Sequence, residues 1–153
     1  MLENQKTKEK LCAFYASDYH FEMISLPYIN QNIENHKDVV IFTDEDLQVT
    51  IKKLLSSLNL KDDKKEKLLN INWSNNDVEK FKYLKSISDD VIVFIKGKKK
   101  YINYINTNLD NWINNLSDVK VIDCYEMDEV ASNIHDVVKN YSKMLVTSGE
   151  KEI

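Results

Sequence analysis

Glycine and proline are scarce in this sequence, with only 2 glycines and 1 proline among 153 residues. The loops that hold phosphate in many nucleotide-binding proteins need several glycines at fixed spacing, because their backbone N–H groups surround the ligand. Neither a GxxxxGK(S/T) loop nor a GxGxxG turn occurs. The sequence therefore excludes nucleotide hydrolysis through a GxxxxGK(S/T) loop and dinucleotide binding through a GxGxxG turn.

Cysteine is equally scarce, and both thiols, Cys12 and Cys124, lie in apolar runs. Neither belongs to a CxxC pair or to a cysteine/histidine cluster with zinc-ligand spacing. Two buried thiols indicate a reducing compartment. No apolar run is long enough to span a membrane, and the first ten residues are polar. We expect a cytoplasmic protein with no metal, no other cofactor and no membrane association.

The charge balance is mildly acidic, with a formal net charge of −4. No extended basic block is present, which argues against a nucleic-acid platform. The length suits one domain with a substantial core. We expect a flexible N-terminus at residues 1–10, a single α/β domain at 11–146 and a C-terminal tail at 147–153.

Short apolar runs predict five β-strands buried on both faces. They cover residues 11–16, 39–42, 68–73, 91–95 and 119–124. The segment 61–67 is very polar and predicts a solvated connection before the third strand.

Amphipathic stripes at helical spacing predict five helices between and after these strands. They cover roughly residues 18–35, 47–58, 76–86, 101–116 and 127–145. Pro27 is expected to kink or split the first helix. Alternating strands and helices predict a three-layer α/β/α fold with a five-stranded, mainly parallel sheet. RecA/KaiC-like and flavodoxin-like strand orders both fit.

In such a sheet, ligands bind beyond the carboxyl ends of the strands. The first strand-to-helix loop there is rich in functional groups, with Tyr15, Ser17, Asp18 and His20 close together. The imidazole of His20 could exchange protons near neutral pH. Ser17 or Asp18 could instead be the N-cap of the helix.

A basic run, residues 96–100, follows the fourth predicted strand. Four lysines at the start of a helix oppose its dipole, so Lys96 and Lys98 could receive an anion, although a solvated charge run remains the alternative. Tyr125 follows the fifth strand at the same sheet edge. The predicted ligand-binding residues are Tyr15, Ser17, Asp18, His20, Lys96, Lys98 and Tyr125.

The N-terminal half resembles the MEDS sensory domain over about residues 11–60. The similarity rests on LCAFY at 11–15, FEM at 21–23, LPYI at 26–29, IEN at 33–35 and VVI at 39–41. The sequence departs from that pattern at Asn32-Ile33, where Gly-Leu is usual, and at His36-Lys37, where an acidic residue is common. The resemblance implies a RecA/KaiC-like domain, usually without an intact nucleotide-hydrolysis loop, that acts as a sensory input in bacterial signal transduction.

The function expected from the sequence is that of a non-enzymatic regulatory or sensory module, with no catalytic residue. It would bind a small ligand or a regulatory protein partner at the strand carboxyl ends. A second hypothesis is a small enzyme that uses His20 with Asp18, Tyr15 or Cys124 and acts on an anionic substrate held by Lys96 and Lys98. As a nucleophile, Cys124 would need a nearby base and a lowered pKa; otherwise it is a buried structural thiol. A third hypothesis is a structural adaptor or oligomerisation protein, such as a homodimer.

Overall fold

The structure is a computed structural model that describes residues 7–87, 90–113 and 116–153. It is an α/β fold, as predicted, built on one six-stranded mixed sheet. The strands are β1 (Thr7–Tyr15), β2 (Asp38–Thr43), β3 (Val91–Gly97), β4 (Asp118–Glu126), β5 (Lys143–Val146) and β6 (Gly149–Glu152).

Helices cover both faces of this sheet. The helices are α1 (Asp18–Glu34), α2 (Gln48–Ser57), α3 (Asp62–Leu69), α4 (Asp77–Ser86), α5 (Lys99–Leu109), α6 (Met127–Val130) and α7 (Ile134–Val138). A 3₁₀ turn joins α6 to α7. Pro27 lies inside α1, which continues across it as one helix rather than splitting. No helix among the described residues is both long enough and apolar enough to cross a membrane.

The strand order is β2-β3-β4-β1-β5-β6. The first five of these strands are parallel to one another, and β6 runs antiparallel to β5. The prediction of five strands is therefore wrong by one, and the sheet is mixed. Because β1 lies between β4 and β5, the order is not flavodoxin-like, where β1 would lie between β2 and β3.

The strand predicted at residues 68–73 is wrong. Leu68 belongs to the last turn of α3, and Trp73 follows in a loop. Both side chains are buried, and the indole Nε1 of Trp73 donates to the Leu68 carbonyl at 2.8 Å. The apolar residues of this run therefore pack into the core from the end of a helix and from a loop, rather than from a strand. The polar segment before it forms most of α3, where acidic residues begin the helix and Lys67 lies near its end, as the helix dipole favours.

The single helix predicted at residues 127–145 is also wrong. Bonds from Asn140 N to Val137 O and from Tyr141 N to Val138 O form turns that end α7. The chain then enters β5, where Leu145 is buried as a strand residue. The segment assigned to the tail turns at Gly149, whose φ of 115° suits glycine, and forms β6. At the other end of the chain, β1 begins at Thr7 rather than at residue 11.

Successive side chains of each strand point to opposite faces, so the sheet separates two hydrophobic clusters. On one face, Leu11, Ala13 and Tyr15 of β1 pack with the helices α1, α2 and α3. On the other face, Cys12 and Phe14 pack with α4, α5, α6 and α7. We call these the α1 face and the α5 face.

Candidate functional site

The carboxyl ends of four parallel strands meet at one edge of the sheet, which we call the carboxyl edge. The strand register places Tyr15 beside Glu126, and Lys96 between Thr43 and Cys124. Four of these five residues lie at or next to a strand end. The loops that follow the strands therefore bring their polar residues to the same edge, as expected for a parallel sheet.

Lys96 is the centre of this edge on the α1 face. Its side chain is only 2% exposed, and its Nζ lies 3.0 Å from Oδ1 of Asp18. The same Nζ lies 4.7 Å from the ring centre of Tyr15 and 5.4 Å from that of Phe21. A cation over aromatic rings is stabilised by their negative faces, the more so when water is excluded. The structure thus brings together Tyr15, Asp18 and Lys96 from the predicted set.

Glu22 is a second carboxylate at this position, which the sequence interpretation did not select as a site residue. It lies one helical turn after Asp18, so both side chains share a face of α1. Glu22 is 4% exposed, and its Oε1 has no hydrogen-bond partner among the described residues. Burial raises the pKa of Glu22, the charge of Asp18 raises it further, and the ammonium of Lys96 lowers it. The spacing of four residues from Asp18 was the sequence signal for this pairing.

The carboxyl edge carries excess negative charge around the phenol of Tyr15. Burial raises the pKa of Tyr15 well above its ordinary value, and the carboxylates of Glu126 and Asp44 raise it further. Asp44 also lies close to Gly97, since a Cβ built on that glycine would be 2.7 Å from Asp44 Oδ2. The absence of a side chain at Gly97 therefore leaves room for Asp44.

Ser17 and His20 are held by local hydrogen bonds at the start of α1. Ser17 is the N-cap, and its Oγ accepts a bond from His20 N at 3.1 Å, which confirms the capping alternative. His20 Nδ1 accepts from Ala16 N at 2.9 Å. This bond assigns the ring proton of the neutral imidazole to Nε2. The Nδ1 lone pair is thereby engaged in holding the loop.

The basic run is divided between a strand and a helix. Lys96 belongs to β3, whereas Lys98 is exposed just before α5. The backbone N–H of Lys99 donates to Oε1 of Glu129 at 2.6 Å. A carboxylate from α6 therefore already meets an N–H at the start of α5, where an external anion was expected.

Tyr125 lies on the α5 face, with the sheet between it and Lys96. Its hydroxyl is 2.6 Å from that of Tyr141, which donates to Oδ2 of the buried Asp123 at 2.5 Å. Asp123 also accepts from Asn106 Nδ2 at 3.0 Å. Burial raises the pKa of Tyr125 to about 12. The structure therefore separates Tyr125 from the other predicted ligand-binding residues and places it in an internal network.

Cys124 lies on the α1 face and is fully buried. Burial raises the pKa of its thiol well above the ordinary value, with the charge of Asp123 adding to the effect. Its Sγ donates to the carbonyl of Ile122 at 3.6 Å. A nucleophilic cysteine needs a lowered pKa, so these contacts suit a packing residue.

No group of three or more histidine, cysteine, aspartate or glutamate side chains within residues 7–87, 90–113 and 116–153 is arranged to hold a metal ion. The polar groups that could meet a ligand at the carboxyl edge are Tyr15, Asp18, Asp44 and Glu126, around the paired Lys96. Comparisons with protein-family models, with curated proteins and with solved structures found no match to this chain.

Proposed function

We propose that this chain is a non-enzymatic regulatory or sensory module that binds a small ligand or a protein partner at the carboxyl edge, without hydrolysing nucleoside triphosphates. The ion pair between Lys96 and Asp18 is the observation that carries this proposal. Because of this pair, side chains of the protein itself occupy the loop between β1 and α1.

A phosphate-binding loop at this position would require free backbone N–H groups and an available cation. Here the cation is the buried Lys96, and Asp18 already neutralises it. The N–H groups of Ala16 and His20 are bonded to His20 Nδ1 and Ser17 Oγ. The loop also has no glycine to let a phosphate approach the backbone. These features support recognition rather than phosphoryl transfer.

The charges at the edge favour a positively charged partner group. Glu126 and Asp44 act on the phenol of Tyr15, and Asp18 contributes a third carboxylate that is about half exposed. An amine on a small ligand, or a lysine or arginine of a protein partner, would complement this charge. An anionic substrate would have to displace Asp18 from Lys96 and approach the remaining carboxylates.

The enzyme hypothesis receives less support from the same contacts. His20 has one ring nitrogen engaged by the backbone, and Cys124 is a buried thiol with a raised pKa. Neither is prepared for general-base or nucleophilic chemistry.

The sensory part of the proposal rests on the resemblance to the MEDS domain. Taken from the β5 end of the sheet, the order of the parallel strands is β5-β1-β4-β3-β2. This arrangement is compatible with the RecA/KaiC-like fold that the resemblance implies, and it supports a domain of that kind repurposed for binding.

The proposal is tested by affinity purification from the native cell, with bound proteins and small molecules identified by mass spectrometry. The wild type is compared with the double variant Asp44→Asn/Glu126→Gln, which removes two carboxylates from the carboxyl edge. Glu34→Gln is the control, because it removes one exposed carboxylate at the far end of α1, away from the carboxyl edge. We expect a bound molecule that is retained by the wild type and the control and lost by the double variant.

Phosphate release from ATP and GTP is measured on the same preparations with magnesium present. Release at the rate of the protein-free buffer is expected. Turnover by the wild type that Lys96→Met abolishes would overturn the proposal, as would recovery of the same molecules by all three proteins.

A further inference from the structure

The strand β2 ends the sheet and leaves one side of its backbone unpaired. Asp38 N and Asp44 N donate to the carbonyls of Asp90 and Lys96, on the β3 side. Since alternate residues of a strand direct N–H and C=O to the same side, Val39 and Ile41 direct theirs away from β3. No hydrogen bond joins these groups to a loop or helix of the described residues.

The two outermost strands of the sheet, β2 and β6, differ in how they are protected against pairing with a further strand. The strand β6 has four residues, of which Glu150, Lys151 and Glu152 are charged. Short length and charge are common means of preventing unwanted strand pairing. By contrast, β2 has six residues, and no charge or proline occurs from Val39 to Thr43. The sequence therefore leaves β2 able to accept another strand.

A cavity of about 570 Å³ runs along this edge. Its floor includes the edge residues 38–41, and one wall includes Ile71 and Asn72 from the loop after α3. Glu79 and Tyr83 of α4 form part of the opposite wall. An added strand lies about 4.8 Å from its neighbour, so a groove beside the backbone edge is the space it needs. We call this groove the β2 groove.

Two lysines give the β2 groove a positive rim. Lys37 and Lys67 line it, and neither forms an ion pair within the described residues. The two carboxylates of the groove accept hydrogen bonds from neutral groups, Asp38 from the hydroxyl of Tyr83 and Glu79 from Asn76. A further cation, Lys80, is buried and donates to the carbonyl of Ser74. The groove is thus lined by three lysines and two carboxylates, which gives it a formal charge of +1.

We propose that the β2 groove binds an extended acidic segment of a partner protein, which adds to the sheet as a further strand. The N–H and C=O groups of Val39 and Ile41 hydrogen-bond the backbone of the segment, as in other cases of strand addition. Lys37 and Lys67 bind its acidic side chains and so select against basic segments. This surface is separate from the carboxyl edge, and its test does not depend on the function proposed above.

The test uses two fluorescently labelled synthetic peptides of equal length, one with valine alternating with glutamate and one with valine alternating with lysine. Fluorescence anisotropy measures binding to the full chain. We expect saturable binding of the glutamate peptide that is at least about tenfold tighter than that of the lysine peptide, since tenfold corresponds to about 1.4 kcal/mol. Amide hydrogen exchange should show added protection at Val39 and Ile41 in the presence of the glutamate peptide.

Val39→Pro removes one outward N–H without removing a bond to β3, and proline is tolerated on edge strands. Val39→Thr is its control, because it keeps the N–H at a β-branched residue. Lys67→Glu reverses an exposed charge on the rim, and Lys52→Glu makes the same change on the exposed surface of α2. We expect weaker binding in the first variant of each pair and wild-type binding in the second.

Three results would overturn the inference. The first is the absence of saturable binding. The second is that Lys67→Glu and Lys52→Glu bind the glutamate peptide with equal affinity. The third is concentration-dependent dimerisation of the free protein that protects Val39 and Ile41, since a second copy would then occupy the groove. If Val39→Pro unfolds, as judged by circular dichroism, the Lys67→Glu pair and the exchange data decide the matter.

Discussion

Lys96 and Asp18 form an ion pair of 3.0 Å in which one partner is buried and the other is half exposed. This asymmetry determines what each side chain does. Lys96 cannot recover water if its partner is lost, because its side chain is enclosed by the rings of Tyr15 and Phe21. Asp18 can turn towards solvent. The lysine is therefore the structural member of the pair, and the half-exposed aspartate is the member that a ligand could contact.

Lys96→Met is expected to lower the free energy of unfolding by about 2 kcal/mol at neutral pH. Removing one partner of a fully buried pair costs roughly 3–5 kcal/mol, and the exposure of Asp18 reduces that cost. The buried Glu22 would also lose its neighbouring cation. Urea unfolding followed by circular dichroism measures the change. Lys98→Met, at an exposed position, should change stability by less than about 0.5 kcal/mol; equal effects of the two substitutions would contradict this account of Lys96.

Glu22→Gln is expected to change how stability depends on pH. Burial raises the pKa of Glu22 in the folded chain above its ordinary value of 4.5. Between these two values the folded state holds a proton that the unfolded state has lost, so wild-type stability falls as the pH rises through this range. Glutamine does not titrate. The variant should therefore gain stability relative to the wild type as the pH rises from below 4.5 towards neutrality.

Urea unfolding of both proteins over this range checks the prediction. Glu34→Gln, at an exposed carboxylate on the same helix, is the control and should follow the wild-type pH dependence closely. A difference between Glu22→Gln and the wild type that stays constant with pH would contradict the raised pKa.

The parts of the fold that could be predicted from the sequence are those whose pattern has one physical interpretation. The run at 91–95 is apolar throughout because β3 is buried on both faces, and it was predicted correctly. The run at 68–73 has the same composition, yet Leu68 packs from a helix and Trp73 from a loop. A short apolar run fits a buried strand and a buried helix end equally well. Tertiary packing therefore decided between them.

The candidate site was predictable only where it depends on local geometry. The capping role of Ser17 follows from its place before a helical pattern. The partner of Asp18 could not be predicted in this way. Lys96 reaches Asp18 only because β3 lies two strands from β1, with β4 between them. Tyr125 was grouped with the site because it follows a strand. Its face of the sheet depends on the alternation along β4, which a shift of one residue reverses.

Glu129→Ala is expected to destabilise the start of α5. Its carboxylate accepts from Lys99 N at 2.6 Å, where the helix dipole favours a negative charge and the first N–H groups lack helical partners. Loss of a side-chain cap costs about 1 kcal/mol. Amide hydrogen exchange should speed up in the first turn of α5. Asp128→Ala removes a neighbouring exposed carboxylate on α6 and should leave that turn unchanged; the same acceleration in both variants would exclude a specific cap.

Lys80→Met is expected to change how the free energy of unfolding depends on pH between about 8 and 10.5. Burial lowers the pKa of Lys80 from 10.5 to about 8 in the folded chain, although nearby carboxylates raise it. Between these values the unfolded state holds a proton that the folded state has lost, so wild-type stability rises with pH across that range. The rise is at most about 3–4 kcal/mol, because each pH unit between the two values contributes about 1.4 kcal/mol.

Methionine keeps much of the side-chain volume and has no charge to bury. Its stability relative to the wild type should therefore be most favourable near neutral pH and should decline as the pH increases from 8 to 10.5. Urea unfolding at several pH values measures this difference, in which the titration of other groups cancels. Lys82→Met, exposed on the same helix, should remain parallel to the wild type. Parallel curves for Lys80→Met as well would show that the ammonium of Lys80 keeps its ordinary pKa, and that its bond to the Ser74 carbonyl compensates for burial.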